Sequence, residues 1–252
     1  MTTVTLGHLD STVQQAGAAA VARVLEAYDL EIEYVVAARA EMVEHMRQGD
    51  VDLFVSAWLP DIDAGFMAPG LGMEPFGQLY RPAFGWCVPE AAATGMTSIA
   101  ALAAESCPVG REIVAPASAI DLVRQVVAAY NLTEAGYTIA TRPDEQAADH
   151  AAHVLENSLP EIIPVWQPSF VHYGQRVVQL EDPKGACGPE QDARILIRSA
   201  IRADMDQDLL DELDELTLGN KVVSALDHAM RTEGMSAEDA AEAWQRGKLL
   251  PR

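Results

Sequence analysis

Basic residues are scarce in this chain: 17 Lys and Arg stand against 38 Asp and Glu, a formal net charge of −21 at pH 7. A surface field of that sign repels a phosphate backbone and excludes nucleic acid as a partner. No apolar run reaches the roughly eighteen residues a membrane-spanning helix needs. The opening Met1-Thr2-Thr3-Val4-Thr5 also lacks the basic-then-apolar order of a secretory leader. The chain reads as soluble, with a signal peptide absent from this sequence if the protein is exported. Cysteine is limited to Cys87, Cys107 and Cys187, too widely spaced for a CxxC metal or redox motif. One bridge plus one thiol, or three buried thiols, both fit that count.

Catalytic signatures are missing as well. Ser118 does not sit in a G-x-S-x-G elbow, and neither a phosphate-binding G-x-x-x-x-G-K-[ST] loop nor a dinucleotide G-x-G-x-x-G occurs. His150 and His153 form an H-x-x-H pair with no third ligand nearby, which reads as a solvated helix face. Nothing ties Cys187 to a histidine base. The expectation is a protein with no catalytic residues, no metal and no cofactor.

What is present is an alternation of strand and helix. Val4-Thr5-Leu6 is β-prone, Gly7 to Asp10 breaks it, and Ser11 or Thr12 can cap a helix whose Val21, Val24, Leu25 and Tyr28 share one face. Strands follow at 31–36 and 51–55, with a helix at 40–47 between them. Further strands are expected at 83–88, 111–115, 137–141 and 162–166. Helices are expected at 98–104, 120–130 and 144–157, then from Asp206 onward, with Ser236 and Asp239 marking a capped start. That order implies an α/β protein with a parallel sheet covered on both faces.

Aromatic residues are few, at 6% of the chain, so their positions carry weight. Trp58 stands before Leu59-Pro60 and Trp166 before Gln167-Pro168, each at the end of an expected strand. In doubly wound sheets ligands bind beyond the carboxyl ends of the strands, where these W-x-P corners would present indole faces. Core packing of both tryptophans reads equally well from position alone.

The segment from Gly49 to Pro60, GDVDLFVSAWLP, resembles the GD-D-----W-P segment of substrate-binding proteins of ABC importers for glycine betaine, choline, carnitine and related quaternary amines. VWQPSF at 165–170 and LEDPKG at 180–185 are similar to that family's GW-PHW and LEDPKG segments, and Gly110 to Ile113 and the Trp244 region match as well. The resemblance implies a type II periplasmic-binding-protein fold. Lobe one would run over 1–88 plus 190–252 and lobe two over 89–189, with a ligand cleft between them. It also implies a periplasmic or extracytoplasmic monomer that captures a quaternary amine in an aromatic cage and delivers it to an ABC permease, touching the membrane only through that permease.

Residue by residue, Trp58 and Trp166 match cage positions unchanged. Phe84 falls where choline-binding members carry a tyrosine, His8 where they carry a tryptophan, and Asp10 matches an acidic residue. Two departures bear on the ligand. Ser169 and Phe170 stand in place of His-Trp, and the loop around Ser118 replaces a glycine-rich loop whose amides can cradle an anion. A protonated His8 would repel a cation. A carboxylate at Asp10 favours choline-like cations over betaines. Two rivals remain at this level: a hydrolase or metal-dependent enzyme built on His150, His153 or an acidic pair, and a ligand-sensing domain for another small molecule.

Overall fold

A computed structural model describes residues 3–93, 95–174 and 177–250. The chain begins with β1 (Thr3–Leu9), α1 (Thr12–Ala27), β2 (Glu31–Ala37), α2 (Arg39–Gln48), β3 (Leu53–Leu59), β4 (Met73–Tyr80), β5 (Ala83–Pro89) and the single turn α3 (Glu90–Ala93). It continues with β6 (Glu112–Pro116), α4 (Ile120–Ala129), β7 (Thr138–Arg142), α5 (Asp144–Glu156), β8 (Ile163–Gln167) and β9 (Val177–Gln179). It closes with β10 (Asp192–Arg198), α6 (Ser199–Arg202), α7 (Gln207–Glu215), α8 (Gly219–Glu233) and α9 (Ala237–Gln245). The chain divides into two units. The first runs through Pro82, takes in Pro168–Phe170 and resumes at Gln191; the second holds Ala83–Gln167 and Val171–Glu190.

In the first unit, Ser11 caps α1, its hydroxyl accepting the Gln14 amide. The small residues Ala16, Ala18, Ala19, Ala20 and Ala22 let that helix lie close, and all are buried. Leu25 and Val21 complete the apolar face, each worth about 1.5–3 kcal/mol on full burial. Beneath it the five-stranded sheet runs β2-β1-β3-β10-β4. β1 is parallel to β2 and β3, whereas β10 runs antiparallel to both β3 and β4. The sheet is therefore mixed, not the parallel sheet the strand–helix alternation suggested. β10 is the cause: Ile195, Leu196 and Ile197, all buried, return between β3 and β4 in the antiparallel sense after the chain has passed through the second unit.

Two glycines are required by this packing. A Cβ on Gly7 of β1 would stand 2.8 Å from Val51 Cγ1 and 3.2 Å from Met42 Sδ. Gly77 of β4 has φ +54°, and a Cβ there would stand 2.9 Å from the Leu213 carbonyl oxygen. Gly77 lies at an irregularity in the β4–β10 register, where its N–H bonds Asp214 and its carbonyl accepts from Arg194.

The second unit has a three-stranded antiparallel sheet, β8-β5-β9, and a parallel pair, β6-β7. β5, which the sequence reading placed in lobe one, pairs with β8 and β9, so the first unit ends at Pro82 and not at residue 88. The helix expected at 98–104 is a 3-10 turn over Ile99–Ala103, capped by Ser98. The LEDPKG segment is a local lock. Asp182 accepts from the Tyr130 hydroxyl at 2.5 Å and the Cys187 amide at 2.6 Å, and Lys184 lies 4.8 Å over the Tyr130 ring. The three cysteines are free thiols, so the bridged alternative is excluded.

Candidate functional site

Because β1, β2 and β3 are parallel, their carboxyl ends share one edge of the first unit's sheet. His8 is the penultimate residue of β1, Trp58 the penultimate residue of β3, and Asp10 follows β1 directly. The sequence thus puts an imidazole, an indole and a carboxylate at the edge where ligands bind in such sheets.

His8 is buried, with its ring edge-on to Tyr34 at 5.9 Å between centroids. Its Nδ1 lies 2.9 Å from the Leu9 carbonyl oxygen, an acceptor only, so Nδ1 carries the proton and Nε2 the lone pair. Burial lowers its pKa below 6.5 against the opposing Leu9 carbonyl, Asp10 and Glu238. The ring is consequently neutral at pH 7, and the repulsion a charged imidazole would exert on a cation does not arise. Asp10 is exposed and does not cap α1, a role Ser11 takes.

Trp58 is held at both ends. Its backbone N–H donates to Asp63 at 2.8 Å, and its indole N–H donates to the Tyr80 hydroxyl at 3.2 Å. Asp63 is buried and takes a second bond from Arg39 Nε at 2.6 Å. Burial raises the Asp63 pKa, while the Arg39 guanidinium and the Trp58 amide pull it back. Sequence reasoning missed Tyr80, Ser56, Gln14 and Asp63. A buried Tyr at a strand end and a Gln in the first turn of a helix look like ordinary core and surface choices.

In the second unit, Phe84 and Trp166 are register partners on β5 and β8, their centroids 5.3 Å apart and their planes at 57°. Phe84 is buried and backs the half-exposed Trp166. Ser118 is exposed on the turn between β6 and α4, and its amide donates to Asp144 Oδ1 at 3.0 Å. The chain's own carboxylate therefore occupies that amide.

The Pro168–Phe170 segment belongs to the first unit, where α8 pins it. The Ser169 amide donates to Ser224 Oγ at 3.1 Å and the Phe170 amide to Asp227 Oδ2 at 2.6 Å. Phe170 is buried, with the Arg231 guanidinium 5.6 Å from its ring centroid. Asp227 also accepts from Thr12 Oγ1 and lies 3.3 Å from Arg231 Nε. Its pKa is raised by burial in spite of those partners.

The groups that would serve an enzyme are engaged elsewhere. His150 Nε2 meets Glu161 at 2.9 Å, His153 Nδ1 meets Asn157, and no group of three metal-ligating side chains occurs among the described residues. Burial pushes the Cys87 and Cys187 thiols up to about 12, so neither is a thiolate at neutral pH.

Comparison with known proteins follows the same line. The chain is similar to lactococcal OpuAC in its closed-liganded conformation complexed with glycine betaine, with a TM-score of 0.78 at 17% identity over 98% of this chain and 96% of that one. A glycine betaine/L-proline-binding protein, ProX, from Borrelia burgdorferi gives a TM-score of 0.74 at 18% identity, covering 96% of this chain and 92% of that one. An ABC-transporter choline binding protein in complex with choline gives 0.71 at 16%, covering 97% and 88%. No curated protein sequence matches. These likenesses give the type II periplasmic-binding-protein fold expected from the sequence. The family described as the substrate binding domain of the ABC-type glycine betaine transport system matches residues 2–246. The chain belongs to that family of solute-binding, non-enzymatic domains that serve ABC importers.

Proposed function

We propose that this domain captures a choline-like quaternary ammonium cation through aromatic ring faces, with Trp58 and Trp166 each a ligand-binding residue, and delivers it to its permease. N-methyl groups carry charge but no hydrogen-bond donor, so ring faces attract them where water cannot, at about 0.5–2 kcal/mol per ring. The observation that carries the reading is that both indoles occupy penultimate strand positions with support behind them, Tyr80 bonding Trp58 and Phe84 backing Trp166. His8, neutral and edge-on to Tyr34, is compatible with a cation nearby.

The preference for choline over glycine betaine rests on where anions could be received. The Ser118 amide is taken by Asp144, the Ser169 and Phe170 amides by Ser224 and Asp227, and Asp10 stays exposed with its carboxylate available. A carboxylate opposes a ligand carboxylate by ~4 kcal/mol for unit charges about 4 Å apart at an effective dielectric of 20. The family is extracytoplasmic, and no helix among the described residues is long and apolar enough to cross a membrane. Calorimetric titration of the wild type and Asp10→Asn with choline and glycine betaine tests the ligand class. Choline should bind more tightly, and Asn should weaken choline far more than betaine. Tighter betaine binding, or equal effects of Asn on both, would overturn it.

A further inference from the structure

An indole N–H can donate a hydrogen bond but cannot accept one, and that asymmetry fixes the direction of the bond between Trp58 and Tyr80. Nε1–H points to the Tyr80 hydroxyl oxygen at 3.2 Å, and with the single Ser56 hydroxyl proton directed to Gln14 Oε1, which can only accept, Ser56 Oγ is left to accept the Tyr80 proton at 2.6 Å. Ser56 then sends its hydroxyl proton to Gln14 Oε1 at 3.1 Å. The same Gln14 oxygen accepts the Ser56 amide N–H at 3.1 Å, and Gln14 Nε2 donates to the Ser56 carbonyl at 3.2 Å. Rotating the Gln14 amide by half a turn would set its NH₂ against two donors and its oxygen against a carbonyl. The relay therefore has one polarity, running from Trp58 through Tyr80 and Ser56 to Gln14.

Tyr80, Ser56 and Gln14 are 2%, 0% and 4% exposed. A polar chain buried to that extent contributes less to stability than apolar residues of the same shape when any link is imperfect, and its distinctive product is a unique arrangement. The arrangement it fixes is the indole plane. The torsion that turns an aromatic ring about its Cβ–Cγ bond is soft and broad, so a hydrogen bond to the ring nitrogen of this partly buried indole adds a directional restraint to its packing. Burial holds the Tyr80 phenol at about 12, so its proton stays in the relay throughout the neutral range.

We propose that Tyr80 is a positioning residue for ligand capture: through Ser56 and Gln14 it holds the Trp58 indole in the orientation that presents its face to the cation. The proposal rests on reading Trp58 as ligand-facing, and its test separates the two. The indole N–H signals of Trp58, Trp86, Trp166 and Trp244 are followed by nitrogen–proton NMR, with Trp58→Phe identifying the first. Tyr80→Phe should shift the Trp58 signal and speed its exchange with solvent while the other three stay in place. The choline Kd should rise about tenfold, the effect of losing one buried hydrogen bond of ~1.4 kcal/mol. In the Trp58→Phe background, Tyr80→Phe should change Kd less than twofold. Ser56→Ala cuts the relay one link further on and should shift the same signal by less. An unchanged, equally protected Trp58 signal in Tyr80→Phe would overturn the proposal. So would an equal loss of choline affinity with and without Trp58, because Tyr80 would then act through the fold at large. A wild type that binds no quaternary amine removes the ligand reading, and the indole signal alone still decides whether the relay sets the ring.

Discussion

Phe84 and Trp166 stand opposite one another on β5 and β8, ring centroids 5.3 Å apart, so the half-exposed indole rests on a buried phenyl ring. Phe84→Leu keeps an apolar side chain and removes the ring pair, worth about 0.5–1.5 kcal/mol beyond area burial. The expected outcome is a modest fall in melting temperature together with a broader, red-shifted Trp166 emission, read in a variant where the other tryptophans are replaced by Phe. An unaltered emission would show that Trp166 does not depend on Phe84 for its place.

The Asp63 carboxylate holds the Trp58 backbone from one side and Arg39 from the other, at 2.8 and 2.6 Å. Asp63→Ala leaves a buried amide without its acceptor, at about 1–3 kcal/mol. Arg39→Ala leaves a buried carboxylate without its cation, and burial then raises the Asp63 pKa further. Denaturant titration should show both losses, and the double variant should lose less than their sum, since the two groups share one bond network.

Asp227 joins α1, α8 and the Pro168–Phe170 segment through Thr12, Arg231 and the Phe170 amide. Asp227→Ala takes one acceptor from Thr12, from the partly buried Arg231 and from the Phe170 amide, and leaving that buried amide without its acceptor costs about 1–3 kcal/mol. Asp227→Asn keeps the shape and loses only the charge, so it should be milder. Equal unfolding free energies for the two variants would show that charge pairing with Arg231 contributes little.

Stability should depend on pH through His8. Its folded pKa is lowered by burial, so the unfolded chain binds the proton more tightly and stability rises with pH between the folded value and about 6.5. The contribution is full above that window and is lost as pH falls. Asp63 and Asp227 have raised folded pKa values and act with the opposite sign, gaining stability as pH falls through the carboxylate range. Melting temperatures from pH 7.5 to 5.5 should therefore decline below 6.5, and His8→Gln should flatten the decline. A decline of the same size in the variant would assign it to other groups.

The α1 cap at Ser11, the strand of Leu53–Val55 and the cap at Ser236 were legible because local chemistry specifies them: hydroxyl caps, a buried apolar run and a left-handed Gly49 closing α2. β4 and β10 were not. Pro75 and Gly77 interrupt the first, and breakers read as loop although here Gly77 serves the irregular register. β10 pairs with strands more than a hundred residues earlier in the chain, and no local pattern encodes a partner so distant. Trp58 and Trp166 stood out as rare aromatics beside prolines, whereas the relay behind Trp58 joins α1, β3 and β4 and has no signature along the chain.

Calorimetric titration of choline into the wild type, Trp58→Ala, Trp166→Ala and Trp244→Phe tests most directly the proposal that Trp58 and Trp166 each bind the cation. Trp244, on α9 and outside the strand ends, serves as the control. Trp58→Ala and Trp166→Ala should each lose about 1–2 kcal/mol of binding, the range for a desolvated cation on a ring face, with Trp244→Phe unchanged. Wild-type affinity in either alanine variant would contradict a ligand-binding role for that indole.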